Sequence, residues 1–216
     1  MNQTNINRIF KNNIINRFIK NNSEGLNINK PIKNQSENVY INRNINRNNN
    51  TNTNNKIIIN PLNSTYFKNK SNVNMFVDIV YKNFINLVHD PNLKHSKMEI
   101  NKLLFSPNFK GYFVKENDKI IGYLLGEITK LNDRRKVYFI SYIYTSKYYR
   151  KHGIASKLME LVMDMTKSMK LDTVMLICDT EDDNVYNFYL KKGFMLDFTL
   201  RRYNRHDVLS LPQGVI

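Results

Sequence analysis

With 216 residues, a formal charge of +15 and a single cysteine, the chain has room for one folded domain and an appendage. One cysteine excludes an internal disulfide framework and a four-cysteine zinc site, and no His, Cys or acidic spacing calls for another metal, so none is expected. No apolar run approaches the ~18 residues of a bilayer span, and the charge attracts polyanions (RNA, anionic membranes, acidic proteins, phosphorylated cofactors) without selecting one.

Residues 1–65 read as a disordered, basic, Asn-rich tail. About a third of the first 60 residues are Asn, a polar-tract composition that buries too little apolar surface to order itself. Nine Lys or Arg against two Glu suit a non-specific polyanion contact, while an AT-rich coding bias explains the same composition without a function. Ile6, Ile9, Phe10, Ile14, Phe18 and Ile19 fall near one helical face with Arg8, Lys11, Arg17 and Lys20 between them. An organelle presequence and Asn-rich drift both produce that pattern. Without import, the lone cysteine fits a reducing, cytoplasmic or nuclear, compartment.

The folded domain is expected over residues 66–216, with its first element near Ser71. Phe76, Ile79, Val80, Phe84, Ile85 and Val88 form a helical stripe that Asp90-Pro91 ends. A second helix is predicted over Lys97–Phe105, then a β-hairpin over residues 111–128 around Asn117-Asp118. A strand follows over residues 137–145, a helix from Gly153, a strand over residues 173–179 and a helix over residues 182–191. Two last strands are predicted over residues 194–202 and 206–211. The strand-helix-strand crossover demands one parallel pair, so the fold class is α/β with a mixed, mostly antiparallel sheet flanked by helices.

The stretch Tyr149-Arg150-Lys151-His152-Gly153-Ile154-Ala155-Ser156 joins a strand to a helix whose apolar positions are Ile154, Leu158, Leu161, Val162, Met165 and Met169. A helix start presents unpaired N–H groups and a positive dipole end, and glycine lets an anion approach without meeting a Cβ. Arg150, Lys151 and His152 add cationic or hydrogen-bonding side chains. The octet alone reads either as a pyrophosphate cradle or as a solvated basic loop. Cys178, in an apolar run with no activating base nearby, reads as a buried structural thiol.

The octet fits R-x-x-G-x-A, and Asn184-Val185-Tyr186-Asn187-Phe188-Tyr189-Leu190-Lys191-Lys192-Gly193-Phe194 is similar to A-x-x-F-Y-x-x-x-G-F, with Val185 at the Ala position. In this order the two motifs resemble the GCN5-related N-acetyltransferases (GNAT). Thr199-Leu200-Arg201-Arg202-Tyr203 is similar to the segment that closes over the acceptor in protein N-terminal and ribosomal-protein acetyltransferases of that family. The resemblance covers roughly residues 70–212. It implies a splayed parallel strand pair, acetyl-CoA as cosubstrate, a pantetheine arm along the main chain of Ile143, Tyr144 and Thr145, and a diphosphate held by residues 150–156. It implies further that Tyr189 protonates the departing sulfur and that Arg202 and Tyr203, which equally suit one face of an exposed hairpin, line the acceptor groove. Tyr142 is added to the acceptor side, and Asn184, two residues past the family's usual Asn, to the cofactor contacts.

Two positions depart from the family. Asp182 stands where an Asn usually contacts the cofactor, and a carboxylate at a helix start also serves as a cap. Ile177 stands where a Glu or His base often lies. Glu127, on the hairpin strand beside the cofactor strand, is the first choice of base, with Tyr142, Asp179 and His206 as alternatives. An α-amine, with a pKa near ~7.7 to 8.0, needs less help losing its proton than Lys at ~10.4. The expected activity is therefore acetyl transfer to a primary amine at a protein or peptide N-terminus. A small-amine acetyltransferase, or a GNAT-fold module docked on RNA or the ribosome through the basic tail, are the alternatives.

Overall fold

A computed structural model describes residues 39–41, 57–68, 70–87, 95–199 and 206–213. In chain order these form β1 (Val39–Ile41), β2 (Ile57–Asn63), α1 (Lys70–Leu87), α2 (Lys97–Phe105), β3 (Phe109–Glu116), β4 (Lys119–Lys130) and β5 (Lys136–Thr145). There follow α3 (Ile154–Ser168), β6 (Thr173–Asp179), α4 (Asp183–Lys191), β7 (Met195–Leu196) and β8 (His206–Pro212). One sheet results, in the order β1-β2-β3-β4-β5-β6-β8-β7. Neighbours are antiparallel except β5 and β6, the pair joined by the α3 crossover.

Local chemistry accounts for the helices. Ser96 and Glu99 form a reciprocal capping box at the start of α2, and Ile100, Leu103 and Leu104 turn into the core. On α1, Val73, Phe76, Val77 and Val80 are buried. On α3 the buried set is Ile154, Leu158, Met159, Val162 and Thr166; Leu161, Met165 and Met169 are only partly covered.

The sheet buries both faces. One packs Leu124, Tyr138, Ile140, Leu176 and Cys178 against Ile154, Leu158 and Tyr189. The other packs Phe109, Phe113, Tyr123, Leu125 and Tyr142 against α1 and α2.

Two expectations are corrected. Composition places residues 57–65 in the tail, yet β2 pairs with β3 over its whole length and buries Ile57, Ile59 and Leu62. Its partner lies some fifty positions onward, so no local signal separated these isoleucines from the Asn-rich run. β1 pairs with β2 in turn; the remainder of residues 1–56 lies outside the described residues. Of the strand expected over residues 194–202, the described part forms only the two residues of β7, and residues 200–202 lie outside the described residues. After Leu196 the chain is held by Arg135, whose Nη1 donates to Asp197 Oδ2 at 2.7 Å and whose Nη2 donates to Thr199 Oγ1 at 2.6 Å.

Candidate active site

β5 and β6 run together for three residue pairs: Val137 with Thr173, Tyr138 with Val174, and Phe139 with Met175. Beyond Phe139 their mutual pairing stops, although β5 continues to Thr145 and β6 to Asp179. On the other flank of β5, the register to β4 slips between Leu125 and Gly126, which leaves Ser141 as an extra residue between Ile140 and Tyr142. A bulge of this kind bends its strand and increases the twist. Gly126 makes it possible, because a Cβ there would lie 2.2 Å from the Phe139 carbonyl oxygen. The two parallel strands thus open into a wedge whose backbone edges do not pair with each other.

At the wedge mouth the chain turns. Ser146 N–H donates to the Ile121 carbonyl at 2.8 Å, a 3-10 turn spans Lys147–Tyr149, and Arg150 Nε reaches back to the Thr145 carbonyl at 3.2 Å. Lys151 and Gly153 both adopt left-handed backbone, with φ of 61° and 80°. The first helical bond of α3 runs from Lys157 N–H to the Gly153 carbonyl at 2.9 Å, so the amides of Ile154, Ala155 and Ser156 stand outside the helical ladder. A Cβ on Gly153 would meet no protein atom within 4 Å. Glycine is favoured here by its φ and by the open space before it, not by internal crowding. With Arg150, Lys151 and His152 exposed around it, this helix start is a cationic cradle for an anion. Ile154 is 1% exposed, so only its amide can take part.

The inner wall of the wedge belongs to β5. Ile143 packs under α3 and Tyr144 stacks on Tyr123 at 5.3 Å on the opposite face, which commits both side chains. Thr145 Oγ1 is buried with no hydrogen-bond partner. An orphaned hydroxyl, an unpaired strand edge and an anion cradle in line fit a long ligand with an amide-bearing arm and a diphosphate, as CoA has.

α4 closes the site from the α3 face. Asp182 is its cap: Oδ1 accepts from Val185 N–H at 3.1 Å. Asn184 is exposed in the first turn. Tyr189 is 4% exposed, edge-on to Phe188 and Phe194 with ring centroids 5.3 and 5.6 Å away, and shares its cluster with Cys178. Burial, then the adjacent Cys178, hold the Tyr189 phenol well above the ordinary tyrosine range, so it keeps its proton. Burial also pushes the Cys178 thiol up to about 12, which makes it inert as a nucleophile.

The profile of the Acetyltransferase (GNAT) family matches residues 74–194. The chain belongs to the GNAT family. No curated protein matches the chain in sequence. Among solved structures, the NatC complex bound to Gag peptide and CoA is similar at a TM-score of 0.55 and 20% identity, over 74% of this chain and 99% of that one. Arabidopsis thaliana NAA60 with a bisubstrate analogue is similar at 0.53 and 12%, over 72% and 97%. The ribosomal-protein-S18-alanine N-acetyltransferase from Escherichia coli is similar at 0.53 and 14%, over 74% and 96%. At these identities the likeness shows the fold.

In this GNAT protein the residues expected to bind the cofactor gather along the wedge and its mouth. Of the expected base and acceptor residues, Glu127 and Tyr142 lie away from the open part of the wedge. Glu127 pairs in register with Phe139 and Phe109, level with the closed end of the wedge. Burial raises its carboxyl above the usual range, while the bond from Ser106 Oγ at 2.8 Å opposes the rise. Tyr142 is 5% exposed, packed edge-on to Phe84 and His95, and its hydroxyl touches His95 Nδ1. Asp179 and His206 are cross-strand partners at the open end of β6. Arg202 and Tyr203 lie outside the described residues. Nothing near His95 marks it in the sequence, because it precedes a helix as one lone histidine and its partner is 47 positions away. Among the described residues no group of three or more His, Cys, Asp or Glu could hold a metal, and no helix is long and apolar enough to cross a membrane.

Proposed function

We propose that this GNAT protein transfers acetyl from acetyl-CoA to the primary amine of a protein N-terminus. The observation that carries the reading is the wedge between β5 and β6, headed by the Gly153 helix start. Bound acetyl-CoA supplies an acyl group already activated as a thioester. The amides of Ile154, Ala155 and Ser156, with Arg150, Lys151 and His152, hold its diphosphate. The backbone of Ile143, Tyr144 and Thr145, together with Thr145 Oγ1, holds the amide-bearing arm, with Asn184 at the far side of the mouth.

Tyr189 retains its proton at neutral pH and donates it to the departing sulfur. Glu127, level with the closed end of the wedge, is the proposed base and reaches the amine only through intervening water; Asp179 and His206, at the open end of β6, are the alternatives. For the acceptor side the family resemblance supports Arg202 and Tyr203, which lie outside the described residues, and Tyr142, which is buried against Phe84 and His95. An α-amine acceptor is favoured because Ile177 occupies the family's common base position, and a group with a pKa near ~7.7 to 8.0 tolerates a weak base better than Lys does. The names of two similar structures, a NatC complex with a peptide and an alanine N-acetyltransferase, accord with it.

Isothermal titration of the full chain with acetyl-CoA, followed by a panel of free-N-terminus peptides, Lys peptides with blocked N-termini and small amines, tests both halves. Saturable binding with turnover confined to free N-termini is expected. Turnover confined to small amines moves the acceptor; absence of binding at millimolar ligand removes the enzyme.

A further inference from the structure

The helix that carries Tyr189 is tied to the sheet by a directional contact that the proposed reaction does not use. Tyr186, three residues before Tyr189, donates its hydroxyl to Asp207 Oδ2 at 2.9 Å. Asp207 is the second residue of β8, is 1% exposed, and pairs in register with Cys178 of β6. Cys178 in turn shares a cluster with Tyr189. Tyr186 and Tyr189 from α4, Cys178 from β6 and Asp207 from β8 therefore form one layer between helix and sheet.

A carboxylate in such a place is costly, and an apolar residue of similar size would pack there with less desolvation. What the polar pair supplies is direction. Phe188, Tyr189 and Phe194 hold α4 to the sheet through apolar contacts, which are non-directional and set its rotation and slide only weakly. A hydrogen bond to a strand residue restricts both. At three residues apart, Tyr186 and Tyr189 lie on neighbouring faces of the same turn, so a rotation that breaks one contact displaces the other. Tyr186 falls at a variable position of the A-x-x-F-Y motif, so the motif does not call for it.

We infer that the Tyr186–Asp207 hydrogen bond is a positioning brace for acetyl transfer: it sets the rotation of α4 and thereby where the Tyr189 hydroxyl stands relative to the departing sulfur. The inference rests on the proposed function for its catalytic consequence and on the fold alone for its mechanical one.

Tyr186→Phe removes the donor and keeps the ring, whereas Asp207→Asn keeps an acceptor oxygen. The full chain with each substitution, and with both, is measured for kcat, KM for acetyl-CoA and amide hydrogen exchange. Y186F is expected to lose about 10- to 100-fold in kcat with KM for acetyl-CoA changed by less than about twofold, as a misplaced proton donor requires. D207N should stay within about threefold of wild type, and the double variant should match Y186F because the two residues act through one contact. Amides of α4 should exchange faster in Y186F while those of β3 and β4 do not. A Y186F enzyme with wild-type kcat, or a D207N enzyme as damaged as Y186F, overturns the brace. If the wild-type protein transfers no acetyl group, the proposed function falls and hydrogen exchange decides alone: selective deprotection of α4 in Y186F upholds the brace, and unchanged protection overturns it.

Discussion

Phe139 and Met175 form the last rung of the parallel ladder between β5 and β6. Everything proposed for the cofactor arm depends on the strands parting there, and they part because a bulge at Ser141 redirects β5 while β6 stays paired with β8 along its full length. One strand is bent and its neighbour held straight, so the opening belongs to the fold before any ligand arrives.

Gly153→Val is predicted to abolish acetyl-CoA binding and leave the protein folded. A Cβ there meets no protein atom within 4 Å, so nothing clashes, but it fills the space before the free amides. The left-handed φ of 80° adds strain of about 1–2 kcal/mol. Melting should fall by about 2–8 °C, while titration calorimetry shows no binding; retained affinity would place the diphosphate elsewhere.

Tyr189→Phe keeps the ring that packs on Phe188 and Phe194 and removes only the hydroxyl. Loss of a proton donor should lower kcat by about 10²- to 10⁴-fold, with acetyl-CoA affinity and melting temperature nearly unchanged. An equal rise in KM with normal kcat would assign Tyr189 to binding.

Glu127 carries a pH signature. Its carboxyl is raised above the ordinary value of 4.5 in the fold, so the native state binds the proton more tightly than the unfolded chain. Its contribution to stability is complete below the unfolded value and is lost as pH rises through the folded one. Glu127→Gln should therefore flatten the pH dependence of the melting temperature above the ordinary value of 4.5 and raise stability once pH exceeds the folded value. If Glu127 is also the base, the same variant loses the acidic limb of the kcat/KM profile; a retained limb points to Asp179 or His206.

Arg135→Met should destabilise the β7 end of the sheet. Arg135 pairs with Asp133 and Asp197, both at 2.7 Å, and the Asp197 side chain is 3% exposed, so its removal leaves a buried charge unmatched. Because Arg135 is itself partly exposed, a cost of about 2–3 kcal/mol is expected, below the range for a fully buried pair. Burial works to raise the Asp197 carboxyl, but Arg135 and Thr199 outweigh it and hold the carboxyl low. The stabilisation exists above the ordinary value of 3.8 and fades as pH falls through the folded one, so wild-type and variant melting temperatures should converge in acid.

Local patterns were enough for most of the folded part: the helical stripes of α1 and α3, the strand β6 and the helix α2 at its predicted bounds, and the Gly153 helix start. Each depends on residues within about one or two turns of each other, where periodicity, capping and backbone freedom are written in neighbouring positions. The order of motifs did the same for the crossover and its parallel pair. Only the tertiary structure decided that Ile57, Ile59 and Leu62 are core, that Ser141 is the bulge which parts β5 from β6, that Tyr142 meets His95, and that Tyr186 meets Asp207. These depend on which distant strand lies alongside and in which register, and a one-residue slip reverses every side chain, so nothing in the adjacent sequence encodes them.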